Sequence, residues 1–478
     1  MVPAPAARFV RSVGDMRDVN DVHSKLNPTR VRRIEAPPDL AALRAAVARA
    51  REENRGVAIA GCRHAMGGQQ FATDEVLIDM RGLNGVIDFD PEAGTIEVGS
   101  GVAWPELMAT LDRLQAGVAA PWGIVQKQTG ADRLSLGGAL AANVHGRGLA
   151  FRPIVQDVEA FTLVDAEGRA RRCSRTENAA LFTLAIGGYG LLGVIATIRL
   201  RLMRRHTVMR VVEVTDCDTL AERFADRIAD GFTFGDFQFA TDPASPDLLH
   251  RGVLSCYRPV ADDVAAVAEP RLLTRNDWLE LIRLAHVDRT QAFERYAAYY
   301  LSTDGQTYAS DRHQLTTYID DYHAALGEHL GHVALGTEMI TEIYVPRAAL
   351  ASFLAEARRA IRTRDMNLIY GTIRLIERDD ETVLAWAREP WACIIFNLHT
   401  QHGAAALAKT ADDFRRLIDC GLGHGGSYFL TYHRWATREQ VLSAHPRLPE
   451  FLAAKRRHDP DHVFVSDWYC HHRALAEA

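Results

Sequence analysis

The stretch IAGCRHAMGGQQF, residues 59–71, sets His64 inside a glycine-rich turn directly after a strand-like apolar run. Further glycine clusters stand at 137–138, 146–148 and 187–193. Glycine admits positive φ and lets a backbone N–H approach a ligand with no Cβ in the way. Successive amides in such a turn form a nest for an anion. One such turn is ordinary loop punctuation. Four clusters within the first 200 residues, each near a strand-like run, point to a large phosphate-bearing cofactor lying against the backbone. The usual nucleotide fingerprints do not fit. GxGxxG does not follow the first strand, and GxxxxGK[ST] does not occur, which disfavours a Rossmann fold and a P-loop. Cys470, His471 and His472 adjoin one another near the C-terminus, but no further ligands are evident, so they read as a solvated tail and no metal site is expected.

The elements that must carry these turns alternate along the chain. DLAALRAAVARAREEN, 39–54, has apolar residues at helical spacing and Asp39 as N-cap. VAIAG, EVLIDM (75–80) and GTIEVGSG (94–101) read as strands, and WPELMATLDRLQ (104–115) as a helix with Pro105 in its first turn. VEAFTLVDAEGRARRCS, 158–174, reads as a hairpin turning at 165–168. A boundary is expected near residue 205. Beyond it, a helix at 347–364, strands TEIYVP (341–346) and ACIIFNLHT (392–400), and a late helix at PRLPEFLAAKRRHDP imply a second α+β unit, ending in a short tail, DHVFVSDWY.

VAIAGCRHAMGGQQFATDEVLIDMRGLNGVIDFDPEAGTIEVGSGVAWPELMATL resembles the first FAD-binding subdomain of the vanillyl-alcohol oxidase superfamily. LSLGGALAANVHGRG (134–148) is similar to that family's second flavin loop, and TENAALFTLAIGGYGLLGVIATIRLRL to the segment that closes its FAD domain. RRHDPDHVFVSDW resembles the end of the branch holding sugar, alditol and aldonolactone oxidases and decaprenylphosphoryl-ribose oxidase. The resemblance implies an α+β protein. A PCMH-type FAD-binding domain of two α+β subdomains would span 1–205. A substrate (cap) domain with an antiparallel sheet would span 206–434, and 435–478 would return to the FAD domain. It also implies that Gly61, Cys62, Arg63, His64, Ala65 and Met66 form the pyrophosphate loop, with Gly130, Ser135, Gly137, Gly138, Asn143, His145 and Gly146 on the second loop. Gly190, Gly193, Val194 and Ile195 would close the site. Cys393 would face the flavin or be a buried structural cysteine, and His145 would stand beside the flavin ring or be satisfied by local backbone. His64 stands where many members bond the flavin covalently; the alternative is a histidine that only neighbours it. Cys62 and Arg63 replace a small residue and a glycine, and Arg63 offers a charge for the pyrophosphate. Bicovalent linkage is not expected, because no second attachment cysteine lies near 130–145.

Oxidising an alcohol requires hydride transfer to flavin N5 and a base for the hydroxyl proton. By the same resemblance Glu342 takes the acidic position of a strand, and Tyr432 with His433 falls where the family has a lysine. Packed strand residues are the alternative for Tyr432 and His433. Arg374 is either a holder of an oxygen-rich or anionic group or a surface ion-pair residue. The implied substrate is a small hydroxylated molecule such as a sugar or polyol, with oxygen or another acceptor taking the electrons. A same-fold flavin enzyme acting on a non-sugar metabolite and a non-catalytic FAD-binding protein are the alternatives. By the resemblance Val144, just before His145, stands where oxygen access to the flavin is gated, though one residue does not decide between oxidase and dehydrogenase.

Composition narrows the remaining classes. The chain has 478 residues, 24% charged and 47% hydrophobic, with a net charge of −6, which is ordinary for a globular protein and disfavours a nucleic-acid partner. Seven scattered cysteines give no disulfide framework and no CxxC pair. The first 20 residues lack a signal-type apolar run, and no run of 18 apolar residues occurs, so no membrane span is expected and the expected location is cytoplasmic.

Overall fold

The computed structural model describes residues 16–477 apart from 262, 316–318, 320–321, 324–325 and 328–335; the expectation for the first 15 residues lies outside that range. The helix expected after Asp39 runs over Leu40–Glu52, and the Asp39 carboxylate accepts from Ala42 N at 2.8 Å. Leu43, Ala46, Val47 and Ala50 form its buried stripe. That stripe packs with Val57, Val76 and Ile78 of a parallel three-stranded sheet ordered Arg33–Glu35, Val76–Asp79, Val57–Ala60. The strand Val57–Ala60 stops where Gly61 begins, so the glycine turn emerges from the end of a buried strand.

A second sheet is antiparallel and six-stranded. Its order is Ala170–Ser174, Val158–Val164, Val194–Arg204, Thr95–Gly99, Val86–Asp90, and Trp122–Ile124 also pairs with Val194–Arg204. The expected hairpin forms, with Ala170 opposite Val164. The third sheet is antiparallel with eight strands, ordered Thr307–Ala309, Thr207–Asp216, Arg251–Pro259, Phe234–Phe239, Leu368–Ile376, Trp391–Gln401, Gly336–Pro346, Ser427–Tyr428. Helices Leu350–Arg364 and Ala404–Gly423 cover it through Phe353, Leu354, Phe414 and Leu417. The mixed helix-and-sheet expectation is met.

Two expectations change. The packed-strand alternative for Tyr432 and His433 does not hold, because the strand Ser427–Tyr428 ends before them and the chain runs on irregularly through both. The last residues are not a solvated tail: Asp467–Glu477 is a helix that buries Trp468, Tyr469 and His472. The His472 ring lies 4.0 Å from that of Trp468, and its Nδ1 meets the Trp468 carbonyl at 2.9 Å.

The C-terminal segment is sewn to the first sheet. Val57 N donates to Val463 O at 2.6 Å, and Val465 N donates to Val57 O at 3.0 Å. Asp459 organises this seam. Its carboxylate accepts from Val463 N at 2.9 Å and Phe464 N at 2.8 Å, and it pairs with Lys455, both side chains being almost fully buried. Breaking a buried pair strands the remaining charge, at a cost of about 3–5 kcal/mol. Asp459→Ala is therefore expected to lower unfolding stability by about that amount in urea titration. A loss below 1 kcal/mol, on the scale of an exposed pair, would show that the seam does not depend on this carboxylate.

Candidate active site

The cavity, of about 280 Å³, lies where the glycine turns face the eight-stranded sheet. The turn after the first strand contributes Gly61, Cys62, Arg63, His64, Ala65 and Met66. The second glycine element contributes Gly130, Ser135, Gly137, Gly138 and His145, and the closing segment Gly190, Gly193 and Ile195. Glu342, Arg374 and Tyr432 complete the far wall. These sequence-named residues, drawn from remote stretches of the chain, therefore share one cavity.

Glycine is required here partly because the two turns lie on one another. A Cβ at Gly61 would come 2.0 Å from Ser135 Oγ, and one at Gly137 would come 2.9 Å from Ser100 Cβ. Gly190 and Gly193 have φ of +75° and +148°. Arg63 also adopts positive φ, +61°, at the position where the family resemblance supplies glycine. A non-glycine residue is held there at a cost of roughly 1–2 kcal/mol. Its guanidinium reaches Asp79 at 3.3 Å, a carboxylate that Arg81 also holds at 2.6 Å.

On the opposite wall, the strand Gly336–Pro346 sends alternate side chains to opposite faces. Glu342, only 1% exposed, faces the cavity. Its Oε1 lies 2.6 Å from His145 Nε2, and its Oε2 accepts from the Tyr432 hydroxyl at 3.4 Å. His145 Nδ1 lies 3.0 Å from the Gly146 carbonyl. A carbonyl only accepts, so Nδ1 carries a proton. The proton between Nε2 and Oε1 is then shared by imidazole and carboxylate. Burial, reinforced by the Glu342 charge, raises the Tyr432 hydroxyl well above its ordinary pKa, so it stays a donor. The helix Leu136–Ala142 ends at Asn143 in the left-handed region, φ +47°. The Asn143 side chain donates to Asp379 at 2.9 Å and accepts from Val155 N at 3.2 Å, which sets the turn that aims His145.

Five expected residues fall behind the lining. Asn143 and Gly146 shape the turn, and a Cβ at Gly146 would strike the Lys127 carbonyl at 2.7 Å. Val194 sits in the core beneath the first helix. Cys393, fully buried, places its thiol within 4.8 Å of the His145 and Glu342 ligand atoms yet outside the lining, and burial pushes its pKa well up. The geometry corrects the expectation for His433. Its Nε2 meets Thr341 Oγ1 at 3.2 Å, and Thr341 neighbours Glu342 and so projects from the opposite face of the strand. His433 stacks on Phe414 at 4.8 Å, and burial holds it neutral, its pKa lowered to about 3.

The sequence reading missed several lining residues. Gln69 and Gln70 follow the glycine pair, and Tyr189 occupies φ +52° within GGYG, a signal of a forced turn. Gln69 Nε2 and Gly67 N both donate to Thr431 O, at 2.9 and 3.2 Å, tying the first glycine turn to the residue before Tyr432. Tyr189 meets Thr431 Oγ1 at 3.3 Å.

A search of protein families matches residues 32–174 to the FAD binding domain. The chain thus carries an FAD binding domain over residues 32–174. L-gulonolactone oxidase of Mus musculus is 29% identical over 34% of this chain and 36% of its own. Cytokinin dehydrogenase 3 of Oryza sativa is 28% identical over 37% of this chain and 33% of its own. The chain thus spans about a third of the length of these two relatives. Decaprenylphosphoryl-beta-D-ribose oxidase of Mycolicibacterium smegmatis is 24% identical over 88% of this chain and 90% of its own.

The cavity fits FAD. Buried polar atoms of its lining, among them Arg63 Nε, Gln69 Oε1, Gln70 Oε1, Ser100 Oγ and Thr129 Oγ1, have no hydrogen-bond partner in the protein among the described residues. Such atoms are costly unless a ligand or water meets them. Gly61→Ala is expected to push Ser135 aside and lower FAD occupancy several-fold in the flavin-to-protein absorbance ratio. Gly61→Ala with Ser135→Gly removes the clash and is expected to regain part of the FAD, short of the wild-type level because the Ser135 side chain is lost from the lining. Full FAD in the single variant would show that this turn does not hold the cofactor.

Proposed function

We propose that the protein oxidises an alcohol carbon of a small hydroxylated substrate, a sugar or polyol, with FAD as hydride acceptor. The single observation behind this reading is the His145–Glu342–Tyr432 constellation, in which a buried carboxylate, an imidazole at 2.6 Å and a phenol at 3.4 Å face one cavity with the glycine turns. The domain division that suits it places the FAD domain at 1–205, built of two subdomains, the substrate domain at 206–434, and the returning segment at 435–478.

Bound FAD would supply hydride acceptance, and Gly61, Ser135, Gly137, Gly138, Gly190 and Gly193 would hold it. The chain's own residues handle the proton. The Tyr432 hydroxyl turns from Glu342 Oε2 to the substrate oxygen, donates to it and orients it. With the shared proton on His145, Glu342 Oε2 takes the hydroxyl proton as the carbon–hydrogen bond gives up its hydride, and His145, hydrogen-bonded to the Gly146 carbonyl, holds the pair's positive charge. Arg374, in the same lining, holds a second oxygen of the substrate. Electrons then leave to oxygen or another acceptor. The relative aligned over nearly its whole length, and so across the substrate wall, is named for oxidation of a ribose derivative. The rice cytokinin dehydrogenase aligns over only 37% of this chain, so its name bears less on that wall.

A second reading, a non-sugar substrate, rests on Ile340, Phe429 and Tyr432, which make part of the wall apolar where the resemblance would place a lysine. An anaerobic screen of sugars, polyols, lactones and apolar alcohols for flavin bleaching separates the two. Glu342→Gln and Tyr432→Phe are each expected to slow bleaching by about 10²–10⁴-fold with FAD content unchanged. Wild-type rates in both variants would remove this constellation from the chemistry.

His64 is proposed as the covalent attachment point of the flavin, because it lines the cavity in the turn that resembles the family's attachment loop. Acid precipitation of the holoprotein is expected to leave a yellow pellet with the flavin on the peptide that contains His64. In His64→Ala all the flavin is expected in the supernatant. Complete release from the wild type would make His64 a neighbour only.

A further inference from the structure

One polar cluster outside the chemistry converges from three elements. His286 lies on the helix Arg275–Val287, Glu338 on the strand Gly336–Pro346, and His399 on the strand Trp391–Gln401, directly opposite Glu338 in register. His286 Nε2 and His399 Nδ1 both lie 3.1 Å from the same oxygen, Glu338 Oε1, and His399 Nδ1 is 3.2 Å from Oε2. The rings meet edge-to-face, 4.7 Å apart at 85°, so their nitrogens approach from different directions. The side chains are only 5–9% exposed. Gly336 leaves room for the His399 ring, since a Cβ there would come 2.6 Å from His399 Cε1.

We propose that His286 Nε2, His399 Nδ1 and one carboxylate oxygen of Glu338 bind a divalent ion of the zinc class, with the remaining position open to water. Two imidazoles and one carboxylate are a zinc donor set, with metal–ligand distances of about 2.0–2.2 Å. Donor atoms about 3.1 Å apart are as far apart as two ligands of one such ion at a bond angle near 100°. The same separations would serve two N–H donors on one carboxylate, and the experiment must separate these readings. Charge favours the ion. The Glu338 carboxylate is buried, and a divalent cation neutralises such a charge.

The place of the site gives it a role. Glu338, Ile340 and Glu342 alternate onto one face of their strand, and the latter two line the cavity. Four residues at about 3.3 Å each put Glu338 roughly 13 Å along the strand from Glu342. The ion therefore braces the helix Arg275–Val287 against the strand that carries Glu342 and takes no part in the reaction.

The test uses untagged, FAD-loaded protein, stripped with a chelator and dialysed against metal-free buffer, then titrated with zinc chloride by calorimetry and checked for metal content. One zinc per chain is expected. His286→Ala and Glu338→Gln are expected to weaken it by at least the roughly 10–100-fold that loss of even an outer-shell partner costs. Glu338→Gln keeps side-chain shape, and unchanged FAD content verifies its fold. His250→Ala removes a member of the separate Cys217, Asp218 and His250 group and is expected to leave the stoichiometry intact. The proposal falls if the wild type takes up no zinc, if Glu338→Gln binds as tightly as wild type, or if His250→Ala alone abolishes binding.

Discussion

A carboxylate that is 1% exposed cannot remain charged in a protein interior without partners, and Glu342 is such a carboxylate. Its partners come from two distant parts of the chain, His145 at 2.6 Å and Tyr432 at 3.4 Å. The pairing therefore acts as a long-range constraint. The strand Gly336–Pro346 can settle in its sheet with this face inward only if the second glycine element presents His145 and the segment after Ser427–Tyr428 presents Tyr432. A one-residue slip of the strand would bring Thr341 or Ile343 to this place and leave the imidazole facing a hydroxyl or an aliphatic group.

The other connections serve that meeting. Thr431 O is held by Gly67 N and Gln69 Nε2, so the first glycine turn and the Tyr432 segment are one hydrogen-bonded unit. The C-terminal run at 463–465 hydrogen-bonds to Val57 in the strand that ends at Gly61. Through the final helix, Trp468 Nε1 donates to Leu430 O at 3.2 Å, just before Thr431. Loops that would otherwise drift as separate surface turns are thereby referenced to the same buried strands, which is how irregular chain can hold a site to within a few tenths of an ångström.

Much of this was legible in the sequence, and what was not has a physical reason. Local signals gave the first helix from Asp39, the hairpin at 158–174 and the glycine turns, since these depend on capping, alternation and turn chemistry within a few residues. Glu342 and Tyr432 could be named only through resemblance, because nothing local marks a residue whose partner lies about 90 or 200 positions away. His433 was grouped with Tyr432 because the two are adjacent, and only the tertiary path of the irregular chain after Tyr428 shows that His433 turns to Thr341 and away from the cavity. The tail was misread because CHHRALAEA is polar in sequence, while Trp468, Tyr469 and His472 form a buried stripe only once Asp467–Glu477 is helical. The His286, Glu338 and His399 cluster carries no sequence signal at all, since its three members come from separate elements.

The geometry also separates what the two walls of the cavity can specify. The glycine-turn wall presents backbone and small side chains, which suits a large cofactor contacted along its length and tolerates little variation, as the 2.0 Å approach at Gly61 shows. The strand wall presents long side chains from several strands: Glu342, Arg374, Ile340 and, beyond them, Phe429 and Tyr432. Substitutions there alter reach and polarity without disturbing main-chain packing. Cofactor identity is thus tied to main-chain geometry, and substrate identity to exchangeable side chains. The match to the FAD binding domain at 32–174 falls on the first wall, and most of the residues that would touch a substrate fall outside it. On the proposed reading, substrate choice turns on how Arg374 and the apolar group of Ile340 and Phe429 share the lining with the His145–Glu342 pair.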